Sequence, residues 1–283
     1  MTKHIFITFL LFLITENSHS QNDYLPYYQL INKVKIRQAA GQHDSLTLFL
    51  KQAFDLVAYV HVEDLRLGKR IAKQVGDNEL LAYCKLALRE AKDNLDQSLQ
   101  AKLDSAGKED QRVRSRKYVK ARDYCKRYQT DSSFNYQEKT LAKSKRLMEE
   151  WRRVDSGNVE LIKQVISSHG FPSEKMVGAA TNFMVSIILL HYDEDTANHV
   201  MGESLTVALR EGAIRPRGYA RIMDRHLLNA GKPQLFYSIP INWTGMTEEE
   251  RMEYNRNRLS IGLNPLEEMN IVERRNGTVV VKH

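Results

Sequence analysis

Apolar positions recur at helical spacing along most of the chain. Leu46, Phe49, Leu50, Ala53, Phe54 and Val57 fall at i, i+3, i+4, i+7, i+8 and i+11, one wide helical face opened by Asp44-Ser45 as a capping pair. Leu67, Ile71 and Val75 form a second stripe, closed by Gly76, the residue type expected just past a helix end. Leu80 to Leu103 predicts a third helix, a long one. Gln38-Ala39-Ala40-Gly41-Gln42 recurs in character as Lys73-Gln74-Val75-Gly76-Asp77. That displacement, about 35 residues, is near the period of tetratricopeptide-like helix pairs, although three ordinary packed helices account for the same pattern.

Ser105-Ala106-Gly107 reads as a break before a basic helix, and Thr130 to Asn135 as a polar linker. A helix is expected from about Tyr136 to Arg153, and another through Leu161, Ile162, Val165 and Ile166, capped by Asp155 or Asn158. His169-Gly170-Phe171-Pro172 ends it, because the glycine accepts a left-handed backbone and the proline cannot continue a helix. Ser173 opens the next helix through Leu190, and His191 to Asp195 is a tight turn. Pro216 is placed as a first-turn proline. Thr247-Glu248-Glu249-Glu250 is a capping box. The tail, Gly277 to Val281, is expected as a short strand or half of a hairpin with Ile271-Val272. The fold class is therefore all-α, with a short β segment at the C-terminus.

The two ends differ in kind. Lys3-His4 precedes an apolar run from Ile5 to Ile14, and Ser18 and Ser20 are small residues ahead of Gln21. Basic, apolar and small-residue regions in that order predict a signal peptide over residues 1–20, cut at Ser20-Gln21, and so an exported, periplasmic or extracellular protein. A buried N-terminal helix or strand is the alternative. Neither this run nor Phe183–Leu190 approaches the ~20 residues of a membrane span, so none is expected in the mature chain.

The formal charge is +7, which favours anionic partners. Its densest stretch is Arg112, Arg114, Arg116, Lys117, Lys120, Arg122, Lys126 and Arg127. Such a run can bind phosphates. Export argues against nucleic acid, and Tyr118, Ala121 and Cys125 supply a core-facing side, so a solvated basic face is expected. Cys84 and Cys125 each lie on an apolar helical stripe, the place of small core residues, although an exported protein can pair them. No metal-type cysteine cluster or phosphate loop occurs, and no metal or other cofactor is expected.

The second half carries an ordered set of short motifs: Glu109-Asp110-Gln111 with Arg112, Asp155 and Asn158, His169-Gly170-Phe171-Pro172, Val177-Gly178-x-Ala180, Leu190-His191-Tyr192-Asp193, Asp224-Arg225, Gly231-Lys232-Pro233-Gln234, and Gly262-Leu263-x-Pro265-Leu266. Over roughly residues 105–268 this resembles a bacterial family, the domain of unknown function numbered six-six-two-four. The resemblance implies no activity. In that pattern a glutamine usually precedes the position of His191, where this chain has Leu190. The stretch after Gln234 usually runs through tyrosine, glycine, threonine and glutamine, where this chain has Leu235-Phe236-Tyr237-Ser238-Ile239.

The expected organisation is a signal peptide (1–20), a repeat-like helical region (21–104), a helical domain (105–270) and a tail (271–283). The polar motif positions are the candidate site. A histidine beside a carboxylate can act as a general base, which nominates His191 with Asp193 or Asp224. Arg225 could hold an anionic group, and His169, Gln234, Glu109, Asp110 and Gln111 are candidate binding residues. His169, His191 and Asp193 also suit helix ends, and Asp224 could pair with Arg221 three residues away. His191, Asp193 and His199 are too loosely spaced for a metal site. Two functions compete. One is a binding or interaction module of the cell envelope, using the N-terminal helix pairs and meeting a protein or an anionic envelope ligand. The other is a hydrolase-type enzyme built on the His/Asp pair.

Overall fold

A computed structural model describes residues 23–192, 201–239, 245–268, 270–273 and 279–282. Among these residues the chain is all-α, apart from one short strand pair near its end. Residues up to Asn94 and from Met201 onward form one compact unit, and Leu95–Tyr192 forms a second, inserted into the first in sequence. The segment proposed as a signal peptide, Asp193 and His199 lie outside the described residues.

The first unit begins with α1 (Leu25–Ala39), α2 (Leu46–Asp55), α3 (Val62–Val75) and α4 (Asn78–Asp93). α1 packs on α2 and α3 on α4. The face expected of α2 is the buried one, with Leu46, Leu50, Ala53 and Phe54 out of water. Its start differs from the expected cap: Ser45 has φ 67° and makes no side-chain cap bond. Asp77 caps α4 by accepting from the Leu80 amide at 3.0 Å. α3 and α4 approach closely because Gly68 leaves room for Cys84 and Phe54. Burial pushes the Cys84 thiol up to about 11, with Asp77 adding to the shift, and both cysteines are free.

The expected helix from Leu80 to Leu103 is two helices. It breaks at Asn94, and Asp96 caps the next by accepting from the Leu99 amide at 2.9 Å. The second unit holds that helix, α5 (Gln97–Arg112), then α6 (Arg116–Thr130), α7 (Glu138–His169), the single turn α8 (Glu174–Val177) and α9 (Ala179–His191). Ser105-Ala106-Gly107 is not a break but lies within α5, so the expected boundary at residue 104 falls inside a helix. Gly107 is small for a packing reason: a Cβ there would collide with Met184 of α9. Asp155 and Asn158 do not cap a new helix either. They lie within the continuous α7, where Asn158 donates to the Ala106 carbonyl at 3.1 Å. Leu103, Tyr118, Ile162 and Ile188 fill this unit's core.

The chain returns to the first unit as α10 (Gly202–Arg210), α11 (Pro216–Asn229, with the proline in its first turn) and α12 (Glu248–Ser260, with the Thr247/Glu250 capping box formed). A 3-10 turn follows at Leu266–Glu268. The strands β1 (Asn270–Glu273) and β2 (Val279–Lys282) then pair antiparallel, with Ile271 opposite Val281. Leu205 and Ile214 join Tyr27, Ile31, Leu50 and Leu65 among the fully buried side chains of this unit.

Gly212 and Gly231 separate backbone strain from packing. Both have positive φ, 73° and 69°, but a Cβ at Gly212 would run into the Tyr24 ring, whereas one at Gly231 meets nothing within 4 Å. Gly231→Ala is expected to cost about 1 kcal/mol from the left-handed backbone alone. Gly212→Ala is expected to cost a further ~1–3 kcal/mol for overpacking. Urea unfolding of the two variants checks the order.

Candidate functional site

His191, at the end of α9, is partnered by Asp110. Its Nδ1 lies 3.0 Å from Oδ2 of Asp110 on α5. A carboxylate only accepts, so Nδ1 is the donor, and in the neutral ring Nε2 is the nitrogen with the lone pair. Asp110 is fully buried and its other contacts are filled. Arg114 lies 2.7 Å from Oδ1, and the Gln111 side chain donates to Oδ2 at 2.8 Å. Arg114 also donates to both oxygens of Asp155, at 3.0 and 3.1 Å, and the Trp151 indole donates to Asp155 at 2.8 Å. Burial pushes the Asp155 carboxyl up, against the pull of Arg114 and Trp151. Three helices are thus joined through one histidine, one arginine and two carboxylates. The histidine side chain keeps 29% of its surface exposed, so the dyad can present a proton acceptor at the edge of the unit.

Glu109 and Arg112 of the same motif face a different way. Arg112 donates to Glu109 and Glu150, both at 2.8 Å, and to the Tyr118 hydroxyl at 2.6 Å. The Tyr118 hydroxyl and Arg112 together hold the Glu150 carboxyl below its usual range. His169 is exposed at the C-terminus of α7, with Nδ1 2.7 Å from the Ser168 hydroxyl, which suits a helix-end role.

Compared with protein-family models, curated proteins and solved structures, the chain matches none.

Asp224 and Gln234 belong to the other unit, and the hydrogen bonds shown for them are made there. Asp224 is fully buried. It accepts from the amides of Leu235, Phe236 and Ser238 at 2.8, 3.0 and 2.7 Å, and from the Ser238 hydroxyl at 2.6 Å. It does not make the expected pair with Arg221, and it has no capacity left to orient a catalytic histidine. Gln234 bridges the same loop, donating to the Ile239 carbonyl at 2.7 Å and accepting from its amide at 3.0 Å. Arg258 completes the clamp from α12 by donating to the Phe236 carbonyl at 2.8 Å. Burial pushes the Arg258 guanidinium down to about 10, with Asp224 and Glu267 opposing. The clamp imposes a φ of 48° on Tyr237, a conformation a tyrosine avoids unless its surroundings enforce it. Arg225 is half-buried on α11, and its charge adds to burial in lowering the neighbouring Arg221.

A second buried constellation was not anticipated from the sequence. Asp64, fully buried on α3, accepts two hydrogen bonds from Arg215 at 2.9 Å and one from the Tyr27 hydroxyl at 2.7 Å, with Lys35 at 3.4 Å. Burial alone would raise its carboxyl. Arg215, Lys35 and His61 outweigh burial, with the Tyr27 hydroxyl, and hold it well below the carboxylate range. Tyr24, Tyr27, Tyr28, Tyr59 and His61 pack ring against ring beside it. The available signal was the density of tyrosines around Pro26 together with His61 and Asp64 one turn apart.

The remaining feature is a surface. Residues 116–153, the hairpin of α6 and the first half of α7, hold twelve Lys and Arg against five Asp and Glu, a balance of +7 that equals the charge of the entire chain. All twelve cations are exposed. Asp123 is paired with Arg122, and Glu150 with Arg112 from outside this segment. Tyr118 and Ala121 are buried, so the core-facing side expected of this basic helix exists. No cluster suited to a metal ion occurs among the described residues.

The dyad makes a graded prediction. Asp110→Ala leaves Arg114 and His191 facing a cavity in a buried network, and is expected to cost about 3 kcal/mol or more. His191→Ala removes one partly exposed hydrogen bond, and is expected to cost about 1 kcal/mol. Denaturant unfolding measures both. Equal losses would mean that Asp110 is not the hub.

Proposed function

We propose that this chain is an exported helical binding module of a cell envelope, that it belongs to the family numbered six-six-two-four, and that its α6–α7 hairpin meets an anionic partner. The observation that carries the reading is the segregation of charge. The hairpin holds the net charge of the chain, while the rest is balanced. A one-signed surface attracts and orients an oppositely charged partner and does nothing for folding. The motif residues support the same reading from the other side. Asp224 and Gln234 serve loop packing, which takes both out of the expected catalytic and binding set.

One observation favours a second reading. The His191–Asp110 hydrogen bond is the orienting half of a general-base pair, which fits a hydrolase-type reaction with Asp110 in the place first given to Asp193 or Asp224.

Export has a direct test. Fractionation and N-terminal sequencing are expected to find the protein outside the cytoplasm, with Gln21 as its first residue. A cytoplasmic protein that retains Met1 would overturn the envelope assignment. His191→Ala separates the two readings: envelope binding stays at the wild-type level if the hairpin is the working surface, and falls if the dyad is.

A further inference from the structure

The tip of the basic hairpin is built differently from its shaft. Tyr124 and Tyr128, one turn apart on α6, meet Phe134 and Tyr136 of the connecting loop. The Tyr124 and Phe134 rings lie 5.0 Å apart, and the Tyr128 and Tyr136 rings 4.6 Å apart, each pair edge to face. The Gln137 amide donates to the Tyr124 hydroxyl at 2.9 Å, which ties the loop to the helix. Asp131, the acid at the tip, accepts from the Ser133 hydroxyl and amide, and these hold its carboxyl below the usual range. Tyr128 and Tyr136 are 37% and 41% exposed, so this aromatic cluster is on the surface rather than in a core. Exposed Lys126, Arg127, Lys139 and Lys145 stand around it.

We propose that this tip docks on the surface of an anionic phospholipid bilayer. The inference rests on the reading of the hairpin as the binding element. Two properties select lipid over other anionic partners. First, tyrosine rings combine an apolar body with a polar hydroxyl, and such groups settle at headgroup depth while lysine and arginine side chains meet lipid phosphates. Second, one face each of Phe134 and Tyr128, where a sugar or a nucleobase would stack, is already covered by a cation. Arg127 lies 4.3 Å from the Phe134 centroid, Lys145 lies 5.5 Å from that of Tyr128, and in each ring pair the edge of one ring covers a face of the other. What the tip exposes is cations and the partly exposed Tyr128 and Tyr136. The contact is peripheral, since no described helix is long and apolar enough to cross a membrane.

The test uses the chain from Gln21 onward, which carries both units and lacks the apolar run Ile5–Ile14. Co-sedimentation with vesicles of phosphatidylcholine plus phosphatidylglycerol is expected, and not with phosphatidylcholine alone. Binding should fade as the salt approaches molar concentration, where the screening length is ~3 Å. Replacing Lys120, Lys126, Lys139 and Lys143 with Gln should weaken binding at least about tenfold, and replacing them with Arg should restore it. Tyr128→Ser with Tyr136→Ser should weaken it severalfold at unchanged charge. Equal binding to neutral vesicles, or an unaffected Lys→Gln variant, would overturn the inference. Retention on dextran sulfate without vesicle binding would overturn lipid as the partner and leave the anionic-binding reading standing. Retention on neither would overturn both.

Discussion

A carboxylate without access to water cannot stay ionised unless it is surrounded by donors, and the first unit depends on solving that problem at Asp64. Arg215 supplies two hydrogen bonds and Tyr27 a third. Because Asp64 lies on α3, Tyr27 on α1 and Arg215 at the N-cap of α11, the same charge pair ties the N-terminal helices to the segment that returns after the insertion. The backbone reinforces this tie: the Tyr24 amide donates to the Arg210 carbonyl at 2.7 Å, and the Tyr28 hydroxyl to that of Ile214 at 3.3 Å. Removing one partner of such a buried pair leaves an uncompensated charge, which is why these ties are costly to break even though forming them gains little.

The second unit repeats the principle with different residues. Asp110 is the buried carboxylate, and Arg114 carries its compensation on to Asp155. Here a histidine hydrogen-bonds directly to the carboxylate, which gives the arrangement a chemical option. Asp224 is a third case, with its charge balanced largely by backbone amides, and it shapes a loop rather than joining helices.

The all-α class and many helix ends were legible in the sequence, because periodicity and local capping chemistry decide them. Pro216 and the Thr247/Glu250 box behave as their residue types require. The misread points share one cause. Ser105-Ala106-Gly107 and Asp155/Asn158 look like a break and a cap, yet their small or polar side chains answer to neighbours far along the chain, Met184 in one case and Arg114 and Ala106 in the other. Of the candidate site, His191 and Asp110 were both named, but their pairing was not, since 81 residues separate them. The Asp64 network was missed for the same reason, with Arg215 lying 151 residues away. The stretch after Gln234, Leu235 to Ile239, is largely apolar in sequence. Its role depends on backbone amides, which residue identity does not reveal.

Buried polar groups and exposed charge therefore divide the work: the first fix the two units, and the second faces outward on α6 and α7. Amide hydrogen exchange of the chain from Gln21 onward, with and without anionic vesicles, tests this division most directly. Slowed exchange confined to residues 116–153, with 179–191 and 234–239 unchanged, is the predicted result. Protection concentrated around His191 or in the Asp224 loop, with the hairpin unaffected, would contradict it.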